Sequence, residues 1–159
     1  MNQNIMNALD SVAGSMASAY ITLSDNTKYC FMQLYSFESN MEVNITEVPI
    51  LGKTGKGNKP AGWTGTWKGT AHYNQSVIRK MLLDYKKTGT MQPFDIQVTN
   101  EDPTASVGRQ TIVLKNCLTK GGILAKFDAG ADILDEDIEG TFDDWEMPKQ
   151  FSLLTGMQA

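Results

Sequence analysis

The fold is organised around residues 63–100, WTGTWKGTAHYNQSVIRKMLLDYKKTGTMQPFDIQVTN, whose residue pattern changes from a period of two to a helical period and back. In the first part, apolar and small residues occupy every second position: Trp63, Gly65, Trp67, Gly69, Ala71 and Tyr73. Threonines, Lys68 and His72 alternate with them. Strict alternation is typical of a half-buried strand, so we expect such a strand here.

An amphipathic helix is predicted directly after this strand. Its apolar residues recur on one helical face, at Val77, Ile78, Met81, Leu82 and Tyr85. Asn74 is a candidate N-cap, two lysines in the last turn complement the helix dipole, and Gly89 is a candidate stop signal. Phe94, Ile96 and Val98 then alternate as a further strand, so we expect the helix to close one side of a β-sheet core.

The remaining chain consists mainly of predicted strands separated by turn-forming residues. The candidate strands are residues 20–23, 28–37, 41–48, 109–118, 123–127 and 138–145. The pattern predicts a mainly β, α+β fold, a β-sandwich or partly open barrel of about eight strands with one flanking amphipathic helix. Six aromatic residues are expected in the core or at an interface: Trp63, Trp67, Tyr73, Tyr85, Phe94 and Phe142.

Two segments differ from this pattern. Residues 1–18 are rich in Asn, Ser, Ala and Met without a clean period, so we expect a flexible N-terminal arm with at most a short helix over residues 5–12. Residues 52–62 contain no apolar side chain except Ala61 and are predicted to form a long flexible loop. A loop of this kind adds nothing to a core, so its role is expected to lie outside the subunit. Residues 19–159 are expected to form a single domain.

Charge is segregated along the chain. No acidic residue lies between Glu47 and Asp84, whereas residues 128–146 hold nine acidic residues and no basic one. Two solvated surfaces would account for this pattern. A sharper hypothesis is that the basic loop of one subunit meets the acidic edge of another, a contact that repeats as a ring or a filament. The candidate contact residues are Lys53, Lys56, Lys59, Asp135, Glu136, Asp137 and Glu139.

Composition argues against several classes of protein. The 159-residue chain has a formal net charge of -4 and a sequence pI of about 4.9, which disfavours a bulk nucleic-acid binder. Cys30 and Cys117 have no disulfide-framework or metal-site spacing, so we expect two buried, reduced thiols. No apolar run reaches the ~20 residues that span a bilayer, and the N-terminus does not resemble a secretory signal. We therefore expect synthesis and folding in a cytoplasm, without membrane anchoring.

Three local patterns suggest other activities. Residues 135–146 place acidic side chains at ligand positions of a calcium-binding loop, although their flanks do not resemble helices. Trp63 and Trp67 could form a sugar-stacking platform, so the alternative function is a soluble calcium- or carbohydrate-binding β-domain. A hydrolase that uses the acidic cluster is a third reading. His72 is the only histidine and no nucleophile motif surrounds a Ser or Cys, so we predict no catalytic residue, no cofactor and no metal ligand.

Several runs occur together in one order from about residue 40 onward: Gly62-Trp63, RKMLLDY (79–85), Phe94-Asp95-Ile96, VTNEDPT (98–104), GRQTIVLKN (108–116), AKFD (125–128) and GTFDD (140–144). In these runs the chain resembles the tail tube, or tail core, proteins of contractile phage tails, in particular the PBSX type. The resemblance is weaker in residues 1–38. It covers most of the chain and involves no catalytic motif.

The resemblance implies a β-rich, non-enzymatic subunit that assembles as hexameric rings stacked into a hollow tube. The implied partners are further copies of the chain, a tail sheath protein, baseplate or initiator proteins, terminator proteins, and DNA that passes through the lumen without specific binding. The implied location is the tail of a virion or phage-like particle, assembled in the cytoplasm of a bacterial host. An acidic subunit agrees with this, because a lumen of like charge does not hold the phosphate backbone.

Overall fold

Eight antiparallel strands and one α-helix make up the fold, which a computed structural model describes for residues 5–158. Seven strands are hydrogen-bonded in the order β2-β1-β5-β6-β7-β4-β3, and β8 pairs with β6 outside this path. The strands are β1 Ala17–Thr22, β2 Lys28–Cys30, β3 Leu34–Val48, β4 Gly57–His72, β5 Phe94–Glu101, β6 Arg109–Gly121, β7 Asp135–Phe142 and β8 Asp144–Lys149. Within the described residues no strand joins the edge strands β2 and β3, so the sheet stays open.

Strand β4, next to the edge strand β3, confirms the alternation in the sequence. It pairs with β3 on one side and with β7 on the other, and its small and aromatic side chains face the core. Trp67 is 1% exposed, its ring lies edge-on to Phe94 at 6.1 Å, and its indole N–H donates to the main-chain oxygen of Thr141 at 3.2 Å. Burying an aromatic side chain of this size contributes roughly 3 kcal/mol, so this strand anchors the core.

The predicted helix is confirmed as α1, Val77–Thr88, and its apolar face packs against the core. Ile78 is buried, and Met81 and Leu82 are half-buried against the same cluster. Tyr85 is 51% exposed, so it does not pack in the core, and its expected place at an interface stays a prediction. This residue lies in the last turn of the helix, beyond the part that packs on the sheet, so Tyr85 contributes to a surface and not to the core.

The ends of α1 agree only in part with the sequence signals. Gly89 stops the helix as expected, with a φ of 74° and its N–H bonded to the oxygen of Tyr85 at 2.8 Å. At the other end the residue before the helix is Ser76, two positions after the predicted cap Asn74, and Ser76 makes no side-chain capping bond. Within the described residues, no helix is long and apolar enough to cross a bilayer.

Pairing between β3 and β4 replaces part of the predicted loop. The predicted strands 28–37 and 41–48 become the short strand β2 and the long strand β3, and β4 begins at Gly57, inside the predicted loop 52–62. Asn58, Lys59 and Pro60 have low strand propensity, but residues 45–47 of β3 lie opposite them and pair with this part of β4. Only residues 49–56 remain as the connection. Cys30, expected to be a buried thiol, is exposed at the end of the edge strand β2, whereas Cys117 is buried as expected.

A bulge reverses the faces of β6 after residue 115. Leu114 is buried as predicted, but Leu118 is 39% exposed, whereas Cys117 and Thr119 are buried. Asn116 has a φ of 53°, and at this point one residue of β5, Asp95, lies opposite two residues of β6, Lys115 and Asn116. The extra residue shifts the alternation by one position, so the uniform pattern predicted over residues 109–118 is wrong beyond the bulge.

Two further strand predictions are corrected at the C-terminal side. Residues 122–134 form no strand, and the predicted strand residue Phe127 is 92% exposed. The predicted strand 138–145 is two strands, β7 and β8, separated at Asp143. These strands pair with different neighbours, β7 with β4 and β8 with β6, so the chain must leave one part of the sheet and enter another.

The N-terminal segment, residues 5–16, is hydrogen-bonded to the turn between β5 and β6, residues 102–108. A 3-10 turn, Ala8–Asp10, stands where a short helix over residues 5–12 was expected, and β1 begins at Ala17. Residues 1–4 of the predicted arm, and residue 159, lie outside the described range.

Candidate assembly surfaces

A two-stranded ribbon extends beyond the rest of the sheet, and we call its residues 43–63 the hairpin arm. Within it β3 and β4 pair with each other from Val43 opposite Trp63 to Val48 opposite Gly57. The other neighbour of β4, the strand β7, pairs with it only from Gly65 onward. An isolated two-stranded hairpin is marginally stable in water, so a ribbon of this length is suited to packing against another molecule.

The hairpin arm carries aliphatic side chains that the described residues leave largely exposed. They are Val43, Ile45, Val48, Ile50 and Leu51, with exposed fractions between 37% and 104%. Leu51 is the extreme, at the apex of the connection between the strands. There the N–H of Lys53 donates to the oxygen of Ile50 at 3.2 Å, and Gly52 has a φ of 81°. Leu51 alone would need no explanation, but five aliphatic side chains exposed together on one ribbon are typical of an interaction surface.

The three lysines of the predicted contact set lie on the hairpin arm, all exposed. Lys56 is 3.6 Å from the carboxylate of Glu47, and both side chains are more than 60% exposed. An ion pair this open contributes little to stability. Lys53 and Lys59 flank it, so the arm combines an apolar apex with positive charge.

A bulge sets the direction of the hairpin arm. Val43 lies opposite Trp63 and Ile45 lies opposite Pro60, so β4 has one residue more than β3 between these pairs. Gly62 lies in this bulge with a φ of 97°, a conformation that other residues rarely adopt. Because a bulge increases local twist, it turns the arm relative to the sheet.

The four acidic residues of the predicted contact set lie on β7, beside β4 in the same subunit. Asp135 Oδ1 lies 3.2 Å from His72 Nδ1, and Asp137 Oδ1 accepts a hydrogen bond from the Thr70 hydroxyl at 3.1 Å. Glu139, on the same outer face, is exposed. The structure therefore separates these acidic residues from the lysines of the arm within one subunit.

Glu136 does not belong in the contact set, because its side chain points into the subunit. It is 8% exposed and pairs with the guanidinium of Arg79. Arg79 also donates to the main-chain oxygens of Ile123, at 3.4 Å, and Gln75, and lies over the ring of Tyr73 at 4.4 Å. Sequence reasoning missed this cluster, since a helix arginine and a strand carboxylate 57 positions apart carry no common signal.

Residues 122–134, which we call the acidic loop, form a second surface of exposed side chains. Leu124, Phe127 and Ile133 are 69%, 92% and 65% exposed, and Asp128 and Asp132 lie among them. The loop has no strand or helix. Large apolar side chains exposed together on a loop are typical of an interaction surface.

Two aspartates hold the N-terminal segment in place. Asp102 is buried and accepts the N–H of Ala13 at 3.0 Å and that of Thr104 at 2.9 Å. Asp10 accepts both the N–H and the hydroxyl of Ser106, at 2.9 and 2.7 Å. These hydrogen bonds lower the pKa of both carboxyl groups.

The alternative sites suggested by the sequence do not form. Residues 135–146 lie on two strands instead of in a loop, so their carboxylates point along strand faces and do not converge on one ion. Within residues 5–158 no three His, Cys, Asp or Glu side chains are placed to hold a metal ion. Trp67 is buried, and Trp63 packs against Phe142 with 6.1 Å between ring centres. The two indole rings therefore do not form a shared platform on which a sugar could stack.

A mainly β subunit with a protruding arm and several uncovered apolar surfaces has the architecture of a self-assembling structural protein. The chain belongs to the phage tail tube protein family, because a family model with that description matches residues 4–149. It is a structural tail tube subunit, as the runs in the sequence suggested.

Similarity to individual proteins agrees with this assignment. The chain is 29% identical to the phage-like element PBSX protein XkdM of Bacillus subtilis (strain 168) over 117 residues, which cover 74% of this chain and 80% of that protein. Its fold matches a chain in the anti-feeding prophage baseplate, 6-fold symmetrised, with a TM-score of 0.64 and 12% identity, covering 89% of this chain and 97% of that one. It also matches a chain in the sheath-tube complex of an extracellular contractile injection system, with a TM-score of 0.57 and 14% identity, covering 81% and 86%.

Proposed function

We propose that this tail tube subunit assembles as hexameric rings that stack into the hollow inner tube of a contractile tail. The observation that carries the proposal is the hairpin arm, whose apolar apex has no partner within the described residues. Support for six subunits comes from the 6-fold symmetry of the anti-feeding prophage baseplate, and support for a sheath comes from the sheath-tube complex, both of which contain the same fold. The role is mechanical, and no enzymatic step is proposed.

The partners follow from this role. They are further copies of the chain, a tail sheath protein around the tube, baseplate or initiator proteins at one end and terminator proteins at the other. DNA passes through the lumen without specific binding, which the net charge of -4 favours because like charges repel. The particle is assembled in the cytoplasm of a bacterial host, and the subunit remains in the tail of the virion or phage-like particle.

The lysines of the hairpin arm are the proposed contact residues between rings or between subunits. Exchanging Lys53, Lys56 and Lys59 together for glutamine removes three positive charges and leaves the length of the arm unchanged. We expect shorter tubes, or rings that do not stack. The matched control exchanges the three exposed lysines of α1, Lys80, Lys86 and Lys87, for glutamine. Equal tube lengths in the two variants would show that the charges of the arm do not contribute to stacking.

Negative-stain electron microscopy over a concentration series tests the proposed function. Rings or hollow tubes of uniform diameter are expected as the concentration rises. A monomer that stays dispersed at the highest concentration would contradict the proposal. If calcium or an oligosaccharide then raised its melting temperature, the alternative of a soluble binding domain would replace it.

A further inference from the structure

The hairpin arm and the acidic loop lie at opposite ends of the molecule. Strand β4 runs from Gly57, beside the apex of the arm, to His72. At His72 it pairs with Asp135, the first residue after the acidic loop, and the N–H of Tyr73 donates to the oxygen of Leu134 at 3.0 Å. Fifteen steps of about 3.3 Å separate the two ends by roughly 50 Å. The two surfaces therefore cannot meet within one chain.

The backbone of the acidic loop is held in place while its apolar side chains face outward. The oxygen of Leu124 accepts the Tyr73 hydroxyl at 3.5 Å, and the oxygen of Ile123 accepts the Arg79 guanidinium at 3.4 Å. The Lys126 ammonium donates to the oxygen of Asp135 at 2.8 Å. The first two contacts hold the loop main chain at Ile123 and Leu124, and the third holds the side chain of Lys126, next to Phe127. These anchors reduce the cost of ordering the loop when it binds.

The two surfaces are complementary in both polarity and charge. The arm turn, residues 49–56, exposes Ile50 and Leu51 beside lysines, and residues 49–60 carry three lysines and no acidic residue. The acidic loop exposes aliphatic and aromatic side chains beside Asp128 and Asp132, and Asp135 and Asp137 follow on the adjoining strand. Its one basic residue, Lys126, is bonded to the oxygen of Asp135, and the surface as a whole stays acidic. An apolar centre with opposite charges at its rim is the usual composition of a specific protein interface.

We propose that the arm turn of one subunit docks on the acidic loop of a second copy of the chain, with Leu51 against the surface that contains Phe127. The contact joins opposite ends of two identical molecules. It is therefore heterologous. Each assembly of bound subunits keeps one free arm at one end and one free acidic loop at the other. Such a contact extends an assembly along the direction of β4. This inference rests on the proposed function, because it names the surface that receives the arm within the assembly.

Site-directed cross-linking of mixed subunits tests this contact. One protein carries Leu51→Cys and the other Phe127→Cys, both in a Cys30→Ser background that removes the exposed native thiol. A short bis-maleimide is added after the two are mixed under assembly conditions. A cross-linked dimer is expected in the mixture and in neither protein alone. A single protein with both substitutions should give a ladder of dimers, trimers and longer products, since each copy then has both ends.

The control pairs Leu51→Cys with Leu153→Cys, because Leu153 is 65% exposed and lies outside both surfaces. Electron microscopy of the same samples distinguishes failure of the docking contact from failure of the proposed tube function. Tubes without the Leu51–Phe127 product, or with equal cross-linking to Leu153, would overturn the docking contact and leave the tube function standing. Samples without tubes and without cross-links at any concentration would overturn both.

Discussion

The pair between Glu136 and Arg79 gives the sharpest test of which acidic residues stabilise the subunit itself and which contact other subunits. Glu136→Ala removes a carboxylate that is 8% exposed and leaves Arg79, whose side chain is 19% exposed, without its charged partner. Removing one member of a fully buried pair costs about 3–5 kcal/mol. Arg79 keeps two main-chain oxygens and some access to water, so we expect a loss of about 2–3 kcal/mol, or roughly 5–10 °C in melting temperature for a domain of this size.

Glu139→Ala is the matched control, because it removes the same side chain from the same strand at an exposed position. Its free energy of unfolding should stay within about 0.5 kcal/mol of that of the native protein. Thermal unfolding followed by circular dichroism measures both variants. Equal melting temperatures would refute the view that Glu136 stabilises the subunit from inside. Loss of tubes with an unchanged melting temperature in Glu136→Ala would return this residue to the contact set.

Further expectations follow from packing and titration. Gly140→Ala should lower the free energy of unfolding by about 3 kcal/mol, measured with urea, because a Cβ at Gly140 would lie 1.9 Å from the oxygen of Leu118. Because hydrogen bonds lower the pKa of Asp102, their stabilisation is complete above the usual aspartate range and is lost as the pH falls through the lowered value. Amide exchange of the N-terminal segment should therefore increase in acid, and in Asp102→Asn at neutral pH. Burial raises the pKa of Cys117 to about 12, so a thiol reagent at pH 8 should label Cys30 alone.

Each of these three expectations has a control and a contrary result. Gly130→Ala is the control for Gly140→Ala, because a Cβ at Gly130 would lie 3.5 Å from its nearest neighbour, the Asp128 carboxylate. Equal stability of the two alanine variants would contradict the steric argument. For the N-terminal segment, exchange that does not depend on pH after correction for the intrinsic rate would exclude the aspartate bonds as its anchor. Two labelled thiols in the folded protein would show that the core around β6 opens readily.

The parts of the fold that sequence reasoning predicted correctly are those where burial follows a local period. Strand β4 alternates over its core-facing half, and α1 places Ile78, Met81 and Leu82 on one face, so each element is specified by residues within about a dozen positions. Gly89 was equally readable, because the left-handed conformation at a helix end favours glycine. Together they correctly indicated a mainly β fold with one α-helix.

The parts that were missed depend on single residues or on distant pairing. The positive φ of Asn116 reverses the faces of β6, and no periodicity shows such a shift in advance. The first residues of β4 became a strand only because β3 lies beside them. Residues 123–127 alternate in sequence, but no neighbouring strand accepts them, and Phe127 remains exposed.

The candidate surfaces show the same division. The lysines of the hairpin arm were visible as a run of one charge sign in the sequence, and their exposure follows from their place in a protruding ribbon. The acidic run was visible too, but its members differ in role. Strand alternation turns Glu136 inward to Arg79 while Asp137 and Glu139 stay at the surface. Only the register of β7 against β4 separates the two groups.

The most direct test of the central claim, a self-assembling tube subunit, is a cryo-electron microscopy map of the assembled protein. We expect a hollow tube of stacked six-fold rings, in which the hairpin arm of each subunit packs on a second copy and Leu51 is covered. A map in which the arm projects freely into solvent, or particles that remain single subunits at high concentration, would contradict the account.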